Sequence, residues 1–457
     1  MKRRDFISQS AAVGSGLLMG APIFADDQIA EEKQIVKNAA QPAKQIHVGI
    51  VGCGRQGRAI INVGLKIPNI KITAVCDILL SARRSAKLYI ESESEDENAE
   101  VAMYSDFHEM LGKEKGNLDA LVIATPDFLH AQQTIEALNA GLHVYCEPMM
   151  ATNASGARAM IQASRDHSRL LQIGLERRSD PRYRHAAGKL LQTEESRDLL
   201  LGIVTHLETQ ANRRVHSELI WAERDTLPDE ILKRYNYESM SQYRNWKQYR
   251  KYCNGQCANF LAQQLDVLEW FFKIRPREVA ASGGQDYYKY GDTFDNTAAL
   301  LTYAFPKGIV RGICRVWTTT SAGGTLPFEH VFGENGSLQT SLSGEFFRLY
   351  AEPGLAKWNE FLRRGDLIKV NVAKEDEDPN LIKVRETGNV VPYQLPVART
   401  GSVIQLHLAN FANAVLGTEK LNCSGEDALP SHIIAWTIAE SAETGKTIPF
   451  RDEMFGE

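Results

Sequence analysis

An α/β fold, in which a doubly wound parallel sheet is followed by an α+β domain with a large open, mostly antiparallel sheet, is what this sequence predicts. Three observations point to it. Apolar runs of strand length alternate with helical patterns from about residue 45 to 175. The first run breaks into three closely spaced glycines and continues as a helix. Beyond residue 200, strand patterns follow one another without a helix between each pair, and their apolar residues mix with polar ones as in a half-solvated sheet.

The opening run, Ile46-His47-Val48-Gly49-Ile50-Val51, leads into Gly52-x-Gly54-x-x-Gly57 and then Arg58 to Val63 with helical spacing. In a strand, turn and helix of this kind the first glycine permits the tight bend. The second lets the backbone approach a pyrophosphate, and the third lets helix and strand pack closely. Arg55 and Gln56 lie inside the turn, beside the N–H groups at the helix's positive end. Lys71 to Asp77 is a second strand, and Asp77 stands about twenty residues past the last glycine, where a carboxylate accepts from an adenosine ribose hydroxyl and repels a 2′-phosphate. NAD is therefore preferred and NADP is less favoured. Arg83-Arg84 is the counter-signal, since it could hold that phosphate if Asp77 turned away, and Asp77 can also be read as a strand-end turn residue. The acidic run from Glu91 to Glu97 reads as a solvated loop.

Ala120 to Thr125 is a buried strand closed by Pro126-Asp127, Ala131 to Ala140 a helix, and His143 to Glu147 the next strand, with Pro148 after it. Thr125, Pro126, Asp127 and Glu147 thus fall at carboxyl ends of parallel strands, where such sheets bind ligands. A helix from about Ser155 to Asp166 and a strand at Leu171 to Gly174 complete this domain, taken as residues 45–175. In the second domain, 176–457, strands are expected at Gly202–Glu208, Thr297–Phe305, Gly308–Thr318 and Phe328–Phe332. Ala258 to Phe272 is a strong helix, with Leu261, Leu265, Leu268 and Phe272 on one face. Val403–Val415 and Ser431–Glu440 are helical and expected to pack back on the first domain.

Size and charge narrow the function. The 457 residues suffice for two cores, and a net charge of -5 leaves no basic footprint for nucleic acid or anionic membrane, so a small polar substrate is indicated. Met1-Lys2-Arg3-Arg4-Asp5-Phe6, followed by a small apolar run from Ala11 to Ala25, resembles a twin-arginine export signal with cleavage after Ile23-Phe24-Ala25. Residues 1–25 are read as that signal and 26–44 as a linker, which places the protein in the periplasm or otherwise outside the cytoplasm. The apolar run is too short for a stable membrane insertion. Seven cysteines cannot all pair, and strand-end positions for Cys53, Cys76 and Cys146 make buried packing the default; Cys253 and Cys257 lack partners at zinc-site spacing, so no metal is expected.

With these residues placed, the chain resembles the Gfo/Idh/MocA family of glucose-fructose oxidoreductase and inositol dehydrogenase relatives. The resemblance runs from about Gln45 to Phe450. It rests on the glycine turn, Ala124-Thr125-Pro126-Asp127-x-x-His130, Gly141 to Glu147, Asp266-x-x-x-Trp270 and Ser441-x-x-Thr444-Gly445-Lys446. It implies an NAD-binding Rossmann domain, an open-sheet second domain, and hydride exchange with a sugar, keto-sugar or cyclitol. His130 enters the cofactor set through it, although capping or packing at the turn is its plainer reading. Asn245, Trp246 and Arg250, with Lys251, Tyr252 and Gly255, look like the stretch leading into the substrate helix of exported members and are assigned to substrate.

The departures concern chemistry. The family usually reads Glu-Lys-Pro where this chain has Glu147-Pro148-Met149, and Asp-x-x-x-His-x-x-Asp where it has Asn259, Gln263 and Asp266. Neither amide accepts a proton at working pH, whereas a positioned base typically contributes about 10²–10⁴-fold to such a reaction. Asn259 and Gln263 still match sugar hydroxyls as paired donors and acceptors; alternatively they merely satisfy hydrogen bonds along a helix face. Tyr183, Tyr252, Lys251, His185 and Asp127 lie in segments expected near the cleft, and Tyr252 or Lys251 is the first choice for a substitute base. Three functions follow: an exported NAD-dependent oxidoreductase; an NAD-dependent glycoside hydrolase working by transient oxidation and elimination; or an inactive member that binds cofactor and sugar. The open sheet also suggests a homo-oligomer.

Overall fold

Six apolar strands, each too short to bury its own flanks, assemble into a fully parallel sheet in the order β3-β2-β1-β4-β5-β6. They are β1 Ile46–Val51, β2 Ile70–Cys76, β3 Ala102–Tyr104, β4 Ala120–Ile123, β5 His143–Cys146 and β6 Leu171–Ile173. The structure is a computed structural model that describes residues 44–94, 99–214, 225–320, 327–342, 347–354, 356–370 and 391–456. The expected export signal and linker lie outside the described residues, except for Lys44. Helices α1 Arg55–Gly64, α2 Leu80–Glu93, α3 Phe107–Glu114, α4 Asp127–Asn139 and α5 Ala154–Asp166 connect the strands. Every residue of β4 is buried, as a parallel sheet covered on both faces requires. The strand order reverses between β1 and β4, which opens a crevice at their carboxyl ends.

Two helices begin earlier than the apolar spacing suggests. α4 starts at Asp127 because Pro126, with φ -62° and ψ 145°, fixes an extended entry immediately before it. Near the C-terminus the helix starts at Gly425 rather than Ser431, because Ser424 and Asp427 form a reciprocal capping box and Pro430 is accommodated inside the helix.

The second sheet has ten strands in the order β14-β15-β13-β12-β11-β7-β10-β9-β8-β16. Its central members are β7 Val204–Asn212, β8 Pro276–Gly284, β9 Asn296–Phe305, β10 Gly308–Trp317 and β11 Phe328–Gly333; β12 Gly336–Ser341, β13 Arg348–Ala351, β14 Ile368–Lys369, β15 Val391–Gln394 and β16 Ile448–Pro449 complete it. All its pairings are antiparallel except β7 with β10. Between β7 and β8 the chain forms α6 Asp229–Arg234, α7 Met240–Arg244 and a long helix, α8 Gly255–Phe272. Leu261, Leu265, Leu268 and Phe272 of α8 are buried in the main core. The last two long helices are α9 Val403–Val415 and α10 Gly425–Thr444. α9 inserts Leu408, Phe411 and Ala412 into the cluster of Ile50, Ile60 and Tyr145, so residues late in the chain stiffen the first sheet. All seven cysteines are free and buried. No helix among the described residues is long and apolar enough to cross a membrane.

Candidate functional site

The crevice begins where β1 ends. Gly52 has φ +92° and its N–H donates to the Cys76 carbonyl at 2.8 Å; a Cβ there would stand 2.5 Å from the Ala124 carbonyl oxygen. At Gly57 a Cβ would meet the Gly52 carbonyl oxygen at 1.9 Å, so helix and strand close on each other only because both residues are glycine. Gly54 differs: a Cβ there meets nothing within 4 Å. Space has been left on that side, and it opens onto the N-terminus of α1. No side chain caps that terminus and its first turn holds no acidic residue. The first-turn N–H groups of a helix have no partner within it. Uncapped N–H groups, a positive helix end and open space beside Gly54 are the donor set a pyrophosphate requires, and the residues present fit a dinucleotide.

Asp77 follows β2. Its two carboxylate oxygens accept from the Cys53 N–H at 2.7 Å and the Leu79 N–H at 2.8 Å. Each oxygen keeps a second acceptor direction for ribose hydroxyls. Burial raises its pKa, opposed by those two N–H groups and by Arg83 and Arg58. Arg83 donates to the carbonyls of Asp77 and Ile78, both at 2.9 Å, so it braces the strand end.

At the ends of β4 and β5 the polar groups gather. His130 is buried, with Nδ1 2.8 Å from the Met149 carbonyl and Nε2 2.7 Å from that of Thr125. Two carbonyl acceptors require both ring nitrogens to donate, which only imidazolium can do. Burial lowers its pKa, but the Cys146 thiol, the Asp127 carboxyl and the Met149 carbonyl outweigh that and push it up to about 10. Expected among the cofactor contacts, His130 instead clasps the two strand-end turns, with both ring nitrogens engaged. Thr125 donates its hydroxyl to Gln133 Oε1 at 2.7 Å. Asp127 is 5% exposed; burial raises its pKa, while His130 and Lys247 lower it. Glu147 is pushed up to about 8, by burial first and the neighbouring Glu176 second; Gln56, His130 and Lys247 pull the other way. Gln56, at the start of α1, hydrogen-bonds this carboxyl and so joins the glycine turn to the end of β5.

Across the crevice, α8 presents the two amides. Asn259 donates to the Pro148 carbonyl at 3.0 Å, and Gln263 donates to Asn259 Oδ1 at 2.8 Å. Arg177 holds the helix from below through the Gln263 carbonyl at 2.6 Å. The relay is half-buried and ends on the Pro148 carbonyl. Asp266, one turn on, is buried in a bidentate pair with Arg178 at 2.9–3.1 Å and belongs to the core.

The other candidates fall elsewhere. Tyr252 is fully buried; its hydroxyl donates to the Asn236 carbonyl at 2.9 Å and lies 2.6 Å from Gln242 Oε1, which corrects the expectation of a base and makes it a packing aromatic. Lys251 is exposed and pairs with Glu238 at 3.3 Å. Asn245 is buried and donates to the Ser241 carbonyl at 3.0 Å, while Trp246 lies half-buried under the Lys247 ammonium, 5.1 Å from its ring. Arg250 donates to the Asp292 carbonyl at 2.7 Å and pairs with Glu443. Tyr183 is buried against Glu329 at 2.9 Å, and His185 bonds the Asp366 carbonyl at 2.8 Å. Sequence reasoning missed Lys247 and Glu176, which act on the Glu147 carboxyl. The signal for Lys247 was its place in the same stretch as Trp246, but nothing local ranked it above Lys251.

Residues 46–175 match the model of an oxidoreductase family with an NAD-binding Rossmann fold. An uncharacterized oxidoreductase, YrbE, of Bacillus subtilis (strain 168) is 33% identical over 141 residues, 31% of this chain and 38% of that protein. The inositol 2-dehydrogenase of Rubrobacter xylanophilus is 32% identical over 143 residues, 31% of this chain and 38% of its own length. The match thus spans about two fifths of the curated relatives. Among solved structures, the WlbA dehydrogenase from Bordetella pertussis, in complex with NADH and UDP-GlcNAcA, superposes with a TM-score of 0.60 at 19% identity, covering 89% of this chain and 99% of its own. Aldose-aldose oxidoreductase from Caulobacter crescentus, complexed with glycerol, gives 0.62 at 18%, covering 89% and 100%. These likenesses establish the two-domain fold along most of the chain.

Proposed function

The chain belongs to the Gfo/Idh/MocA oxidoreductase family through its NAD-binding Rossmann domain, and on that premise we propose that it exchanges hydride with a sugar, keto-sugar or cyclitol. The observation that carries the reading is the open, uncapped glycine turn with Asp77 seated against it. Bound there, NAD supplies a nicotinamide ring that accepts or gives hydride. Gly52, Gly54 and Gly57 with the first turn of α1 would hold its pyrophosphate, Asp77 its adenosine ribose, and Thr125, Pro126, Asp127 and Glu147 would line the rest of the crevice. Asp77 with Arg83 engaged at carbonyls favours NAD over NADP.

Oxidising an alcohol also moves a proton, and the amides on α8 cannot take it. They bind and orient hydroxyls. Glu147 holds its carboxyl proton through neutral pH and releases it just above, which suits a group that gives and takes a proton at working pH. Lys247 and Glu176 set that balance from either side. The twin-arginine pattern assigns the working protein to the periplasm. The outer face of the second sheet, where Leu300 and Ile313 face each other at 45% and 36% exposure beside Ile309 at 52%, is assigned to a second copy of the chain.

Purified protein is to be titrated with NADH by fluorescence and then offered a panel of aldoses, keto-sugars and cyclitols with NAD. Micromolar binding and net NADH production with one sugar class are the expected results. Release of an aglycone without net NADH would favour the hydrolase reading, and failure to bind either NAD or NADH would overturn both.

A further inference from the structure

Two consecutive buried arginines follow β6, and they pair differently. Arg178 closes a full fork on Asp266: its Nε donates at 3.1 and 2.9 Å to the two carboxylate oxygens and its Nη2 at 2.9 Å to one of them. Arg177 also has a buried carboxylate within reach, that of Glu329 on β11, yet it closes no fork. Its Nη1 stands 3.5 Å from Glu329 Oε1 and donates instead to the uncharged Gln263 carbonyl at 2.6 Å. Arg177 Nε and Glu329 Oε1 are both buried without a hydrogen bond. A fork onto the carboxylate is the stronger pairing, and an idle buried donor or acceptor is destabilising. The guanidinium is thus held toward the helix at the expense of its own best partner.

Glu329 is pinned in turn. Its Oε2 accepts from the Tyr183 hydroxyl at 2.9 Å and the Thr340 hydroxyl at 2.8 Å, so the carboxylate does not swing to meet the fork. The helix residue that Arg177 grips, Gln263, is the first link of the relay that runs through Asn259 to the Pro148 carbonyl. Once the relay bonds are counted, each amide keeps one N–H and Gln263 keeps its carbonyl oxygen, the groups that a polyol needs. We propose that Arg177 is a positioning residue: anchored on Glu329 of the second sheet, it fixes the rotation and depth of α8 so that the Gln263 and Asn259 amides meet substrate hydroxyls at a set spacing. The inference rests on the hydride-exchange reading above, in which those amides hold the sugar or cyclitol. Stability alone does not call for this pair, because a buried ion pair is often exchanged for apolar groups without loss.

Arg177→Met combined with Glu329→Gln tests this, since it removes both charges at once and leaves neither buried alone. The substrate is the sugar, keto-sugar or cyclitol of the panel above that gives most NADH with wild type. The double variant is expected to lose about 10–100-fold in kcat/KM, most of it in KM, with NADH affinity and melting temperature close to wild type. Unchanged KM in the folded double variant, whatever its melting temperature, would mark a purely structural pair and overturn the proposal. Should that variant not fold, Glu329→Gln alone keeps acceptors for Tyr183 and Thr340 while removing the anchoring charge. It is expected to raise KM about threefold or more, and an unchanged KM would overturn the anchor. A crystal structure of the double variant gives a reading that needs no substrate: the bond from Asn259 to the Pro148 carbonyl should open beyond hydrogen-bond reach, and its retention at 3.0 Å would overturn the positioning role. If wild type turns over no member of the panel, the hydride reading falls, and that structural result decides on its own whether Arg177 sets the relay.

Discussion

The two walls of the crevice are built on opposite principles. At Gly52–Gly57 the backbone itself is the site: two Cβ atoms would collide with carbonyl oxygens and a third would enter open space. On α8 the site is made of side chains, Asn259 and Gln263, joined to each other and to the Pro148 carbonyl. A backbone site tolerates almost no substitution, because its shape is its chemistry. A side-chain site can lose its titrating groups and keep its hydrogen bonds. The two walls therefore respond differently to substitution: the turn is held by its shape, while the α8 relay needs only groups that keep its hydrogen bonds.

The contrast can be broken most severely at Gly57. Gly57→Ala forces a Cβ onto the Gly52 carbonyl, and a cost of about 3 kcal/mol or more with loss of NADH binding is expected in thermal melts and fluorescence titrations. A melt like that of wild type would show that the turn yields to a methyl group.

Glu147 comes next, since Gln56 ties it to the glycine turn and it precedes Pro148, whose carbonyl receives the Asn259 amide. Its ordinary pKa of 4.5 applies in the unfolded chain, and in the folded protein it rises to about 8. Between those values the unfolded chain sheds a proton that the folded one keeps, so this group's contribution to stability declines as pH rises and is lost by about pH 8. Glu147→Gln removes the decline: relative to wild type it should gain about 4 kcal/mol between pH 5 and 9, about 1.4 kcal/mol for each pH unit up to the folded pKa, while turnover falls about 10²-fold or more. Identical pH–stability profiles for the two proteins would mean that the carboxyl is not raised.

The smallest effects belong to the residues that the sequence favoured as bases. Tyr252→Phe is expected to cost about 1 kcal/mol in stability through its lost hydroxyl contacts, and Lys251→Ala less than about 0.5 kcal/mol. Both should leave the pH–rate profile in place, and a displaced profile for either would return that residue to the chemistry.

The glycine turn and Asp77 were legible because their constraints are local: bends without a Cβ and a carboxylate at a strand end leave a mark within thirty residues. Tyr252 was not, since its surroundings come from Phe128 and Tyr237, and no periodicity connects them. The same holds for Lys247 against Lys251, four residues apart in one stretch; the short turn at Trp246–Gln248 decides which of them lies near Asp127 and Glu147. Helices of five and six residues, α7 and α6, are too brief to leave an amphipathic pattern, so neither was expected from the sequence.

Gly54 offers the most direct test of a backbone-built cofactor site, because its Cβ would touch no protein atom. NADH affinity and melting temperature are to be measured together on Gly54→Ala. A melt within about 2 °C of wild type with NADH binding weakened at least tenfold is the predicted result, since the added methyl enters the space reserved for the pyrophosphate. Unchanged NADH affinity in a folded Gly54→Ala protein would contradict it.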